Sequence, residues 1–183
     1  MGLRIYGNRA LKTLPGQTTR PTPARVRTAV FNIWQGAIAG CHWLDLCAGS
    51  GAMGAEALCR GAVRLVGIEQ SEPACRVIAQ NWQQVSQPEQ TVKLIRGDIC
   101  TKLKTLQGDQ FDRIYFDPPY HGELYLPVLN AIVTYDLLHP DGELAVEHDP
   151  NDWVEPTITG LEIIREKVYG QTALTFLQRS GVA

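Results

Sequence analysis

Apolar residues recur at helical spacing at Val26, Val30, Phe31, Ile33, Trp34 and Ile38. This stripe predicts an amphipathic helix over 23–39. Thr22-Pro23 supplies a start, where a missing N–H costs nothing, and Gly40 supplies an end. Beyond it the period alternates. Apolar runs at 42–46, 63–69, 92–96, 111–116 and 143–147 read as strands, with helices expected at 52–60, 73–85, 99–106 and 124–138. Strands alternating with helices imply right-handed crossovers and a mostly parallel sheet covered on both faces. The last segment breaks the rule. Residues 161–169 and 172–178 are both extended, joined through Gly170-Gln171, and read as a hairpin forming an antiparallel edge. The expected fold is therefore α/β and Rossmann-like, with a seven-stranded sheet. Before the first helix, short extended patterns broken by Gly7-Asn8 and Pro15-Gly16 predict a small arm or hairpin. The 183 residues suit one domain, with an arm over 1–22 and a core over 23–183.

Charge changes this picture. The formal net charge is only −2, but it is unevenly spread. Arg4, Arg9, Lys12, Arg20, Arg25 and Arg27 all precede the first acid, Asp45, and the remainder carries 11 bases against 19 acids. A basic arm on an acidic body suits a polyanion partner, with those six cations holding phosphates; a solvated hairpin and helix face is the alternative. No run of about 18 apolar residues exists to span a membrane, and no signal-peptide pattern precedes the arm, so a cytoplasmic chain is expected. The five cysteines form no C-x-x-C pair and the four histidines no ligand spacing, so reduced thiols and no metal site are expected.

Candidate chemistry begins at Leu44-Asp45-Leu46-Cys47-Ala48-Gly49-Ser50-Gly51-Ala52-Met53-Gly54. Glycines at 49, 51 and 54 fit G-x-G-x-x-G between a strand and a helix, where the backbone approaches a ligand and helix N–H groups point at it. NAD and FAD sites share that pattern, and so does a tight turn that binds nothing. Asp45 shifts the balance, because a carboxylate repels phosphates and suits a cationic ligand. Glu69 ends the second strand, where an acid accepts hydrogen bonds from both ribose hydroxyls of an adenosine, cofactor unspecified. Asp98 follows the third strand. It is placed either to accept from an adenine amino group or simply to cap the next helix.

Asp117-Pro118-Pro119-Tyr120 follows the fourth strand, at the edge where doubly wound sheets hold ligands. Two prolines remove two N–H donors and leave the Asp117 carboxylate among bare carbonyls. An exocyclic amine is a weak nucleophile because its lone pair is delocalised into the ring. Accepting both of its N–H hydrogens frees that pair. Tyr120 offers a flat surface on which a base stacks. No cysteine adjoins the motif, which argues against ring-carbon methylation through a thiolate.

These residues resemble the class I methyltransferases that use S-adenosylmethionine (SAM), and among them the amino-methyltransferases. The match narrows with Ile5-Tyr6-Gly7, Arg20-Pro21-Thr22, Arg25-Val26-Arg27, Phe31-Asn32, Asp45 to Gly51, and Arg165-Glu166-Lys167-Val168-Tyr169-Gly170-Gln171-Thr172. Together they look like the bacterial 16S ribosomal RNA guanine-N2 methyltransferases, the RsmD family, over nearly the whole chain. The resemblance implies SAM held by Asp45, Ala48, Gly49, Ser50, Gly51, Glu69 with Gln70, Asp98 with Ile99, and Asp117. It leaves S-adenosylhomocysteine as product and implies that Arg20, Pro21 and Thr22 close over the cofactor. Asp117, Pro118, Pro119 and Tyr120 would hold a guanine of small-subunit rRNA in an assembled or assembling particle, and a monomer is expected. The short segment His121-Gly122-Glu123 departs from the family and puts the grip on RNA in question. Guanine rather than adenine rests on the resemblance alone. Adenine-N6 DNA or protein glutamine methylation shares the chemistry of the Asp-Pro-Pro-Tyr motif, and a non-catalytic nucleotide-binding module is the rival from another class.

Overall fold

A computed structural model describes residues 3–14, 23–119 and 123–181. A small antiparallel hairpin comes first, β1 (Leu3–Ile5) and β2 (Arg9–Leu11), turning through Gly7 and Asn8, both at positive φ. The core follows as α1 (Ala24–Ile33), β3 (His42–Leu46), α2 (Ala52–Cys59), β4 (Arg64–Glu69), α3 (Glu72–Val85) and β5 (Thr91–Arg96). It continues as α4 (Ile99–Lys102), β6 (Phe111–Phe116), α5 (Tyr125–Thr134), β7 (Leu138–His148), β8 (Leu161–Tyr169) and β9 (Thr172–Arg179).

The main sheet has seven strands in the order β5-β4-β3-β6-β7-β9-β8, the first five parallel and β9 antiparallel to both neighbours. This is the expected architecture, with one refinement. The second strand of the terminal hairpin, not the first, joins the parallel sheet. Burial explains the choice. Thr172–Leu177 is buried throughout, as an interior strand must be, whereas charged β8 is mostly exposed and takes the edge.

Alternation along each parallel strand feeds two apolar layers. Trp43, Tyr115, Ala145, Leu174 and Phe176 meet Val26, Val30, Phe31 and Trp34 of the α1 side. Leu44, Leu46, Val66, Ile68, Ile114, Phe116 and Val146 meet the α4–α5 side. Strands buried on both faces read as near-continuous apolar runs, which is why the pattern was legible.

Two helices stop early. The α1 stripe runs on to Ile38, but the helix ends at Ile33 and Gly36 takes φ 84°; Trp34 and Ile38 stay buried from a series of turns. Helix α5 ends at Thr134, where Asp136 takes φ 56°, and the buried pair Leu137-Leu138 enters a strand longer than the expected 143–147. The segment expected as a helix over 99–106 is one α-turn followed by a 3₁₀ turn. Among the described residues, no helix is long and apolar enough to cross a membrane.

Strand β3 connects towards β4 and β5 on one side, while β6 connects towards β7 on the other. The strand order therefore reverses between β3 and β6, and a crevice opens beyond their carboxyl ends.

Candidate active site

The acids singled out by the sequence come together at that crevice. Asp45 stands within β3 and is 2% exposed; its Oδ2 accepts a hydrogen bond from the Gly54 amide at 2.9 Å. It thereby satisfies one of the orphan N–H groups of α2 and ties the glycine loop to the sheet. Burial raises the Asp45 pKa to about 8, against the Gly54 hydrogen bond and with the help of the Glu69 charge. A carboxyl so poised gains from a cationic neighbour.

Glu69, at the end of β4, braces two segments. Its Oε2 accepts from the Gly49 amide at 2.9 Å and its Oε1 from the Ser71 amide at 2.8 Å. Each oxygen keeps a second lone pair for a ribose hydroxyl. Gln70, beside it, is exposed. Ala48 and Gly51 close the loop through the Gly51 amide to the Ala48 carbonyl at 2.7 Å, and Gly51 caps α2 at φ 72°.

Cys47 reports the electrostatics of the crevice. Its thiol pKa is pushed strongly upward, by burial first and then by the charges of Glu69, Asp117 and Asp45. Acids from three neighbouring strands thus bear on one point. The residue also holds φ 61°, a left-handed conformation that costs a side chain about 1–3 kcal/mol and bends the chain off β3 into the loop. A field of this sign suits an adenosine carrying positive charge, as SAM does, and opposes a pyrophosphate.

Asp98 is exposed and caps α4, its Oδ1 accepting from the Thr101 amide at 3.0 Å; Ile99 behind it is buried. The capping role anticipated for Asp98 is therefore present, and its place directly after β5 puts the residue at the carboxyl edge of the sheet. Asp117 is half-buried directly after β6, its amide 3.4 Å from the Leu46 carbonyl; Pro118 is buried and Pro119 exposed. Tyr120 lies outside the described residues, as do Arg20, Pro21 and Thr22.

The six cations separate. Arg4, Arg9, Lys12 and Arg25 are exposed. Arg27 is not: it is 5% exposed, its Nε donates to Glu56 Oε2 at 2.7 Å, and its Nη2 donates to the Arg4 carbonyl at 2.6 Å. This corrects the expectation that Arg27 holds phosphate. Its place on the apolar stripe, three residues before Val30 and seven before Trp34, turns it inward.

Two residues that sequence reasoning missed secure the loop. Asn81 on α3 is wholly buried. Its Oδ1 accepts from the Lys12 amide at 2.9 Å, and its Nδ2 donates to the carbonyls of Lys12 and Ser50, both at 3.0 Å. Trp82 donates from Nε1 to the Gly51 carbonyl at 2.8 Å. Its ring fills the space that side chains at Gly54 and Gly67 would need. A polar residue inside the stripe Ala74, Ile78, Trp82, Val85 was the available hint for Asn81. Below the rim, Tyr115 donates to the buried carboxylate of Glu147 on β7.

The model of the family described as Conserved hypothetical protein 95 matches residues 3–178. Over 175 residues the chain is 30% identical to a Bacillus subtilis protein named "Putative rRNA methyltransferase YlbH", covering 94% of this chain and 95% of that one. Over 169 residues it is 28% identical to "Ribosomal RNA small subunit methyltransferase D" of Haemophilus influenzae, covering 91% and 86%. A solved structure named "Putative methyltransferase yhhF from Escherichia coli" superposes with a TM-score of 0.85 at 27% identity, over 98% of both chains.

Proposed function

Since the chain belongs to the Conserved hypothetical protein 95 family, the RsmD-type methyltransferases that its motifs resemble, we propose that it methylates the exocyclic N2 amine of a guanine in small-subunit (16S) ribosomal RNA, using SAM. The observation that carries this reading is the placement of Asp45 within β3, Glu69 at the end of β4 and Asp117 directly after β6, on adjacent parallel strands at the reversal of strand order. The names of the relatives support rRNA as the substrate class. The choice of guanine N2 follows the family resemblance.

SAM supplies an electrophilic methyl group and the positive charge that these acids favour. Glu69 accepts the ribose hydroxyls, and Asp98, beside Ile99, is assigned to the adenine edge. Asp117 and the Pro118 carbonyl accept the two N–H hydrogens of the target amine and hold its lone pair in line with the methyl. Tyr120 stacks on the base. Positioning of this kind supplies most of the rate in a direct displacement. The base must leave its stack to reach Asp117, at a cost of a few kcal/mol unless it is already unpaired.

The test is transfer of labelled methyl from SAM to naked small-subunit rRNA, small-subunit particles, duplex DNA and bulk protein, with Asp117→Ala in parallel. Label recovered as N2-methylguanine, lost in the variant while SAM binding persists, is expected. Label confined to DNA or protein would keep the chemistry and overturn the substrate.

A further inference from the structure

A groove of about 590 Å³ runs between α1 and the tip of the β8–β9 hairpin, lined by Arg25, Thr28, Asn32, Ile33, Tyr169 and two alanines. It is shallow and open to solvent along its length, as a surface that follows an extended strand is. Its position links it to the crevice. Ala173 pairs with His148 at the carboxyl end of β7, and Phe116, just before Asp117, pairs with Val146. The Tyr169-Gly170 turn therefore stands on the same rim as Asp117. Arg25 reaches that turn: its Nη2 would be 3.6 Å from a Cβ on Gly170, and its guanidinium carbon is 5.6 Å from the centre of the Tyr169 ring.

Among the described residues, Arg25 is the one cation of the lining, and the register of β8 adds two more on the same face of the sheet. Arg165, Lys167 and Tyr169 pair with Phe176, Leu174 and Thr172, so they share the face of the sheet that α1 covers. Arg165 lies over the Phe176 ring at 5.9 Å. Helix α1 contains no acid. Glu166 points to the opposite face, where it accepts from Thr175 Oγ1 at 3.2 Å. Glu162 shares the groove's face but stands seven residues from Tyr169, roughly 20 Å along the strand, and is held by Gln178 Nε2. Among the described residues, no ion pair engages Arg25, Arg165 or Lys167.

We propose that this groove is a second RNA subsite, which takes a single-stranded stretch of the substrate as it leaves the rim beside Asp117. A base lies against the paired planes of Tyr169 and Arg25, while Arg165 and Lys167 hold phosphates along the edge strand. Planar side chains interleaved with free cations are what single-stranded nucleic acid needs, and an acidic protein segment would have no use for the planes. The inference rests on the rRNA reading above for the direction of the strand, but not for the existence of the site.

The experiment measures binding of a short labelled oligouridylate, and separately the KM for small-subunit particles, in Tyr169→Ala, Arg25→Glu and Lys167→Glu. Lys104→Glu, on the 3₁₀ turn after α4, is the charge-matched control. Each groove variant should weaken oligouridylate binding about tenfold and raise KM with kcat held, because one stacked base contributes about 1–3 kcal/mol. SAM affinity should stay as in the native chain, which shows that the variants are folded. Folded variants that bind oligouridylate normally, or binding displaced by polyglutamate in preference to RNA, would overturn the subsite. Loss of oligouridylate binding in the variants, in an enzyme that labels no rRNA, would keep the subsite and reject the rRNA reading instead.

Discussion

Asn81 holds the backbone of Lys12 from both sides, accepting from its amide and donating to its carbonyl, and with the same amide group reaches the carbonyl of Ser50 in the glycine loop. The N-terminal hairpin and the proposed cofactor loop are thus joined through one buried side chain. Asn81→Ala would leave three backbone groups unpaired, and each such group costs about 1–3 kcal/mol. We expect a loss of about 3 kcal/mol in urea unfolding, faster hydrogen exchange in β1 and β2, and SAM affinity lowered by about tenfold. Unchanged SAM affinity would show that the arm and the loop are independent.

The same helix sets a second constraint. A Cβ on Gly67 would stand 2.3 Å from Trp82 Cη2, and one on Gly54 would stand 2.9 Å from Cζ2. Gly67→Ala must push the indole away from the Gly51 carbonyl that it bonds. Overpacking of this kind costs about 1–3 kcal/mol, and the rigid ring places this site at the upper end. Adding Trp82→Phe should recover part of the melting temperature by making room. It should not recover SAM affinity, because phenylalanine has no N–H for Gly51.

These two relationships mark where sequence reading stopped. The central strands β3, β4 and β6 were legible because they are largely buried on both faces, and the acids were legible because Asp45, Glu69 and Asp117 sit within or at the ends of those strands. Asn81 and Trp82 act on partners 31 and 69 residues away, which no local pattern reports. The place of β9 between β7 and β8 was written in composition, since Thr172–Leu177 carries no charge and Leu161–Tyr169 carries four charged residues. Counting cations gave the arm its sign but not the burial of Arg27.

Arg27 and Arg9 should therefore separate in experiment. Arg27→Met removes the Arg4 carbonyl's donor and one partner of Glu56, whose carboxylate keeps Arg60 at 2.8 Å. It also removes a buried Nη1 that has no hydrogen-bond partner among the described residues. Breaking a buried pair costs about 3–5 kcal/mol when the remaining charge is stranded, and Arg60 prevents that, so we expect about 1–3 kcal/mol. The salt dependence of RNA binding should not change. Arg9→Ala should leave stability alone and reduce the slope of log K against log salt by about 0.7–1. A change of slope in Arg27→Met would restore it to the phosphate-binding set.

The pH dependence of Asp45 tests the electrostatic character of the crevice. Burial, partly offset by the Gly54 hydrogen bond and aided by Glu69, raises its pKa to about 8 in the fold. In the unfolded chain it returns to the ordinary carboxylate range, near 4. A raised acid favours the protonated folded form. The associated stability is complete below the unfolded pKa, declines as pH rises towards about 8, and is gone above it. The stability difference between the native chain and Asp45→Asn should therefore fall steadily across that window and flatten above it. SAM affinity should run the other way. If the cation needs the ionised carboxylate, binding strengthens by up to about tenfold per pH unit below the pKa and levels off above it. Calorimetric titration in two buffers of different ionisation heat would show proton release on binding, absent in Asp45→Asn. Binding that is flat between pH 6 and 9, with no proton released, would show that the Asp45 carboxyl serves the loop through Gly54 alone and takes no part in charge recognition.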